Sequence, residues 1–141
     1  DTVVLGGQIV SGAPGAEGRT QSLIYRHRRQ KPLTATVLPD EAAAALSGYV
    51  SSVSVDRDGL IAAATSSKAG GVVIFEIATG QILTIKSLED VSGVASGKSA
   101  GDFLVTSGMG TIANLTPVSG PAELTATSNW NWDNHTVRIG R

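Results

Sequence analysis

Between Tyr49 and Asp90 the apolar positions recur with a period of two, broken at regular intervals by turn chemistry. Val53 and Val55 flank Ser54, and Ile82, Thr84 and Lys86 alternate with Leu83, Ile85 and Ser87. A period of two sends successive side chains to opposite faces of a strand. Four runs rich in β-branched residues follow, at residues 49–55, 60–65, 72–77 and 82–88. The breaks between them read Asp56-Arg57-Asp58-Gly59, Lys68-Ala69-Gly70-Gly71 and Ala78-Thr79-Gly80-Gln81. Such breaks supply tight turns, so the stretch is expected to be a four-stranded meander, the outline of one propeller blade.

The same pattern returns on either side. Residues 102–107 match 61–66, residues 111–120 match 72–80, and residues 122–127 match 81–86, a register of about 40 residues that suits a four-stranded blade. Upstream, residues 3–10, 22–27 and 33–38 read as the second, third and outer strands of a preceding blade. The expected class is all-β: a partial β-propeller of three four-stranded antiparallel blades. The expected division is an incomplete blade over 1–48, blades over 49–90 and 91–129, and the inner strand of a next blade over 130–141. One short helix interrupts the pattern near residues 40–47, where Asp40 is a candidate N-cap, Glu41 falls in the first turn and Gly48 is a stop signal. The Gly- and Pro-containing segment 11–18 reads as an open loop at the ring surface.

Composition narrows the picture. With 41% apolar and 16% charged residues the chain is globular rather than disordered. A propeller closes its ring with about four to eight blades, so this chain, which starts at Asp1 in mid-strand, is expected to be part of something larger. A net charge of −1 offers no electrostatic footprint for nucleic acid or for an anionic membrane. No apolar run has the length of a transmembrane helix. The absence of Cys excludes disulfides and thiolate metal sites.

Several short motifs suggest chemistry and lose it on context. Asp56-Arg57-Asp58-Gly59 opens like a calcium loop but lacks the downstream Glu, and Asp-Gly between two strands is a hairpin signal. The Gly93–Ser99 stretch resembles a phosphate loop, yet it is one residue short between its glycines and leads into a strand where that motif needs a helix. The basic run Arg26-His27-Arg28-Arg29-Gln30-Lys31 sits at a hairpin turn; it offers a dock for a phosphate or acidic partner, or is a solvated turn that protects a strand edge. The stretch 129–139 concentrates both Trp residues, His135 and Asp133. As an inner strand it would line the central channel, with Asp133 and His135 on one side as two metal ligands or an acid and a base. Alternatively Trp132 packs between blades while Asp133, Asn134 and His135 satisfy the loops that close the ring. Trp132 and Asn134 are then the further candidates for a channel-facing or ligand-facing position. The residues specify no cofactor and no catalytic triad.

The run of Tyr49 to Val53, Asp58 to Ser66, Gly70-Gly71, Ala78-Thr79-Gly80, Asp90 to Ala95, Thr106-Ser107-Gly108 and the closing Trp132-Asp133-Asn134-His135 resembles the C-terminal half of a bacterial family of unknown function. That resemblance implies exported, WD40-like, seven-bladed propellers of the periplasm, encoded near imelysin-type iron-uptake components. It implies no established enzymatic activity. It points to a non-enzymatic binding or assembly scaffold linked to iron acquisition, whose partner is another protein or the missing N-terminal blades. A metal- or redox-dependent enzyme with an axial site completed by those blades is the alternative, and a homo-oligomer joined through open blade edges is a third expectation.

Overall fold

The computed structural model of the chain describes residues 2–10, 22–117 and 123–139, so the loop expected at 11–18 lies outside the described residues. The strands form three antiparallel sheets. The first contains β1 (Thr2–Gly6), β2 (Ile24–Arg28) and β3 (Thr34–Ala35), in that order. The middle sheet contains β4 (Ser52–Val55), β5 (Ile61–Ser66), β6 (Gly71–Glu76) and β7 (Ile82–Ser87). The last contains β8 (Val91–Ser96), β9 (Phe103–Ser107), β10 (Thr111–Leu115) and β11 (Glu123–Thr127). Within each sheet every strand pairs with the next in sequence, and the chain is a partial propeller of three sheets with one short helix.

The middle sheet is buried on both faces. Ala62, Ala64, Val73 and Phe75 project to one side, where they meet Leu23 and Ile24 of the first sheet. Ala63, Val72 and Ile74 project to the other, against Val91, Val94, Phe103, Val105, Ala113 and Leu115 of the last sheet. This double burial explains why β5 and β6 are nearly continuous apolar runs instead of alternating ones. Withdrawing a Val-, Ile- or Phe-sized side chain from water contributes about 1.5–3 kcal/mol, so β6 is the energetic centre of the stack. The three Ala of β5 keep its surface low enough for neighbours to close on both sides.

The helix α1 (Asp40–Leu46) links the first two sheets and places Ala42 and Leu46 in the first of these clusters. Asp40 is not its N-cap. Pro39 holds that position with φ −57° and ψ 157°, its carbonyl accepts the first helical bond from the Ala43 N–H at 2.9 Å, and no side chain caps the turn. Proline's fixed φ and missing N–H suit the residue entering a helix, which moves Asp40 into the first turn, where its charge still favours the helix dipole. At the other end Ser47 takes the left-handed conformation at φ 45°, and the Ser66 hydroxyl donates to the Leu46 carbonyl at 2.9 Å.

The run expected over residues 3–10 is also shorter as a strand, because the chain leaves the first sheet after Gly6. Residues 7–9 instead pair with the lead-in to β4: Val50 N–H donates to Gly7 O at 3.0 Å and Ile9 N–H to Gly48 O at 2.9 Å. One extended segment thereby serves two sheets.

Close approach of the helix to β6 requires Gly71, since a Cβ there would lie 2.0 Å from the Ala45 carbonyl oxygen. Gly71→Ala is expected to lower unfolding free energy by about 1–3 kcal/mol in urea titrations, the usual cost of overpacking a core. Gly59→Ala, in open space but at φ 71°, is the comparison and is expected to lose about 1–2 kcal/mol through backbone strain alone, without loosening the helix from β6.

Candidate functional site

A Thr-Ser dipeptide ends the second strand of both complete sheets, at Thr65-Ser66 and Thr106-Ser107. The two serines act alike. Ser66 Oγ donates to the Leu46 carbonyl at 2.9 Å and Ser107 Oγ to the Glu89 carbonyl at 2.6 Å, so each ties down the segment that leads into its own inner strand. The two threonines face the following unit. Thr65 Oγ1 donates to the Ser92 carbonyl on β8 at 2.7 Å in a fully buried bond, and Thr106 Oγ1 lies 2.9 Å from Thr136 Oγ1. The 130–139 segment therefore stands to the last sheet as β8 stands to the middle one.

That segment nevertheless forms no strand. The ladder partner of an inner strand is the second strand of its own blade, and no described residue supplies one here. Side chains and carbonyls hold it instead: Ser92 Oγ donates to Trp132 O at 3.4 Å, and the Arg138 guanidinium donates to the Gly97 carbonyl. Gly93 lets the segment lie flat, since a Cβ at this position would sit 2.2 Å from Thr136 Oγ1 and 2.3 Å from Thr106 Oγ1.

A crevice of about 430 Å³ opens between the inner strands β4 and β8 and this segment. Its walls are mainly small and polar, with Ser52, Ser54 and Ser96 opposite Asn134, His135 and Thr136. His135 and Asn134 thus face the crevice. Asp133 is not one of its lining residues; its Oδ1 accepts from the Asn134 N–H at 2.7 Å. Trp132 is 37% exposed at the edge. No group of three or more His, Cys, Asp or Glu that could hold a metal ion occurs among the described residues.

Asp56 has a structural task that its hairpin motif only half disclosed. Its buried carboxylate accepts from Leu60 N–H at 2.9 Å and Ile61 N–H at 3.1 Å through Oδ1, closing its own hairpin, and from Gly101 N–H at 3.1 Å through Oδ2. The last bond joins the β4–β5 turn to the β8–β9 turn. A carboxylate engaged by three backbone donors is a brace between blades, and charge-assisted bonds of this kind are among the stronger ones. The Gly93–Ser99 stretch is β8 and the start of its hairpin turn, with Gly97 N–H donating to Asp102 O at 2.6 Å. Neither the 45-residue reach of Asp56 nor the use of Thr106 has a local sequence signal; the repeat of Thr-Ser at equivalent places was the available clue.

A family described as a protein of unknown function, DUF1513, matches residues 1–139. The chain belongs to that family. A search of curated proteins finds no match. Among solved structures, the DUF1513 chain is similar to one in a nidogen/laminin complex at 17% identity and a TM-score of 0.56, covering 77% of this chain and 41% of that one. It is similar to the Cps50 (Swd1) β-propeller domain of Myceliophteria thermophila at 16% identity and a TM-score of 0.53, covering 74% and 37%. Kluyveromyces lactis Hsv2 gives 16% identity and a TM-score of 0.52, covering 69% and 31%. At such identities the likeness concerns the fold, and the chain spans less than half the length of each of these proteins.

Gly93→Ala is expected to lift the 132–138 segment from β8 and β9 without unfolding the middle sheet. In 15N relaxation, order parameters of 132–138 should fall below about 0.6, the range of a flexible backbone, while β5 and β6 amides keep their hydrogen-exchange protection. Unchanged order parameters in that segment would contradict the packing role given to Gly93.

Proposed function

We propose that this DUF1513 chain is a non-enzymatic binding or assembly scaffold that works in the periplasm and serves iron acquisition. The observation that carries the scaffold part is the stacking of sheets through two buried apolar clusters, braced by Asp56, which gives a rigid body with its turns displayed at the rim. Rigid elements that hold out loops are the usual platform for recognition. The periplasmic and iron-related setting extends from the resemblance carried by residues 49–135. A strain lacking the gene is expected to grow more slowly than its parent under iron chelation and to recover with the wild-type gene; equal growth would remove the link to iron.

On this reading His135 and Asn134 shape a polar crevice and hold no resident metal. His135→Ala is expected to leave the metal content per chain, measured by plasma mass spectrometry, the same as in the wild type. Loss of one equivalent would favour the enzyme alternative, with Asp133 and His135 as ligands.

The scaffold joins further blades through its two outward faces. Val3 and Leu5 are exposed on the first sheet, and Val137 and Ile139, 80% and 96% exposed, lie beyond the last. Apolar surface of this kind marks an interface. Its occupant is further blades of a longer protein, or a second copy when none are present. Native mass spectrometry of the 141-residue chain is expected to show self-association that Leu5→Asp reduces; a monomer at every concentration would leave the second copy out.

A further inference from the structure

A recess of about 380 Å³ lies where the outer part of the first sheet meets the turn after β6. Arg26, Arg28 and Lys31 line it, together with the hydroxyl-bearing Thr2 and Thr34, and no carboxylate is among its lining residues. The strand pattern puts these groups together. Arg26 and Arg28 are two apart on β2 and share a face, Thr2 pairs with Arg28 across the β1–β2 ladder, and Thr34 pairs with Arg26 across the β2–β3 ladder. Gln30 in the left-handed conformation at φ 59° turns the chain, and the Lys31 N–H donates back to the Arg28 carbonyl at 2.9 Å, which brings the third cation to the same side.

Three like charges at one recess repel, so their arrangement calls for a reason. The guanidinium of Arg26 is fixed by the next blade, with NH1 donating to the Ile77 and Ala78 carbonyls at 2.8 Å each. Its Nε is enclosed and has no acceptor. Arg28 uses Nε on Thr2 Oγ1 at 3.1 Å, which orients its terminal nitrogens. An acidic side chain, Asp58, lines an adjoining recess that shares Thr2 and Ile77 with this one.

We propose that this recess binds a small, multiply charged oxyanion of the phosphate or phosphate-monoester class, held by Arg26, Arg28 and Lys31 with Thr2 and Thr34 as neutral donors. Planar guanidinium forks match the spacing of phosphate oxygens, and hydrogen bonds between ionised partners are about twice as strong as neutral ones. Its concave shape between two sheets suits a small molecule or the phosphate group of one. The site is separate from the crevice at His135.

Inorganic phosphate and glycerol phosphate are the probes, titrated into the whole chain at constant low ionic strength by calorimetry and by amide NMR. One saturable site is expected, with shifts at Thr2, Arg26, Thr34 and Ala78. Arg28→Ala and Lys31→Ala, both at exposed positions and so compatible with folding, should each weaken binding about tenfold, the scale of one lost charge-assisted contact. Arg29→Ala, on the same turn but outside the recess, should leave it unchanged. Binding of the monoester as tightly as of free phosphate would assign the site to an organic phosphate; binding of free phosphate alone would assign it to the ion. No saturable binding, shifts centred elsewhere, or equal loss in Arg29→Ala would overturn the proposal.

Discussion

Burial of one sheet on both of its faces is the constraint on which this chain depends. β5 and β6 hand alternate residues to two clusters, Ala62, Ala64, Val73 and Phe75 to one and Ala63, Val72 and Ile74 to the other. Neither strand has a solvent face along which polar residues would be tolerated. The requirement extends to the connections. The helix between β3 and β4 takes part of the first cluster only because Gly71 removes the side chain that would collide with Ala45. It keeps its last carbonyl satisfied only because Ser66 reaches it.

Apolar stacking is not directional, so polar contacts fix how one sheet sits on the next. Asp56 receives N–H donors from two hairpins, Thr65 donates to the Ser92 carbonyl, and Arg26 spans from β2 to the Ile77 and Ala78 carbonyls. Each contact ends on backbone, whose position is set by the ladder and not by a rotamer. Registry between blades is therefore transmitted from main chain to main chain through a single side chain. Losing one such side chain leaves a buried backbone group without its partner, which costs more than the net value of the bond.

Much of this architecture was legible in the residues because the signals were local. Asp-Gly and Gly-Gly breaks marked hairpins, and the 40-residue echo of residues 61–86 marked the next sheet. The departures have a common origin. Pro39 displaced Asp40 from the helix cap through a backbone restriction on the preceding position. Residues 7–9 left β1 because the lead-in to β4 offered carbonyls and N–H groups. The 130–139 segment, expected as an inner strand, touches β8 and β9 and forms no strand, since a strand is defined by its ladder partner and not by its own pattern. At the candidate site the pattern put Asp133 and His135 on one side, with Trp132 and Asn134 as further candidates; Asn134 and His135 line the crevice, and Asp133 Oδ1 accepts from the Asn134 N–H, a local contact that no periodicity signals.

The chemistry left available by such a stack collects at its seams. In the middle sheet both faces of β5 and β6 are taken by packing, and their backbones by the strands on either side. Between units the side chains answer to two elements at once: Arg26 to β2 and the turn after β6, Thr136 to the 130–139 segment and β9. Both the polar crevice by His135 and the cationic recess by Arg28 lie at such seams, the first lined by two sheets and the 130–139 segment, the second by the first sheet and the turn after β6. Their shape is then a readout of how neighbouring blades are seated. A ligand that bridges a seam stabilises that seating, and a change in seating alters the ligand's affinity by the same free energy, so binding and assembly in this fold are coupled by necessity.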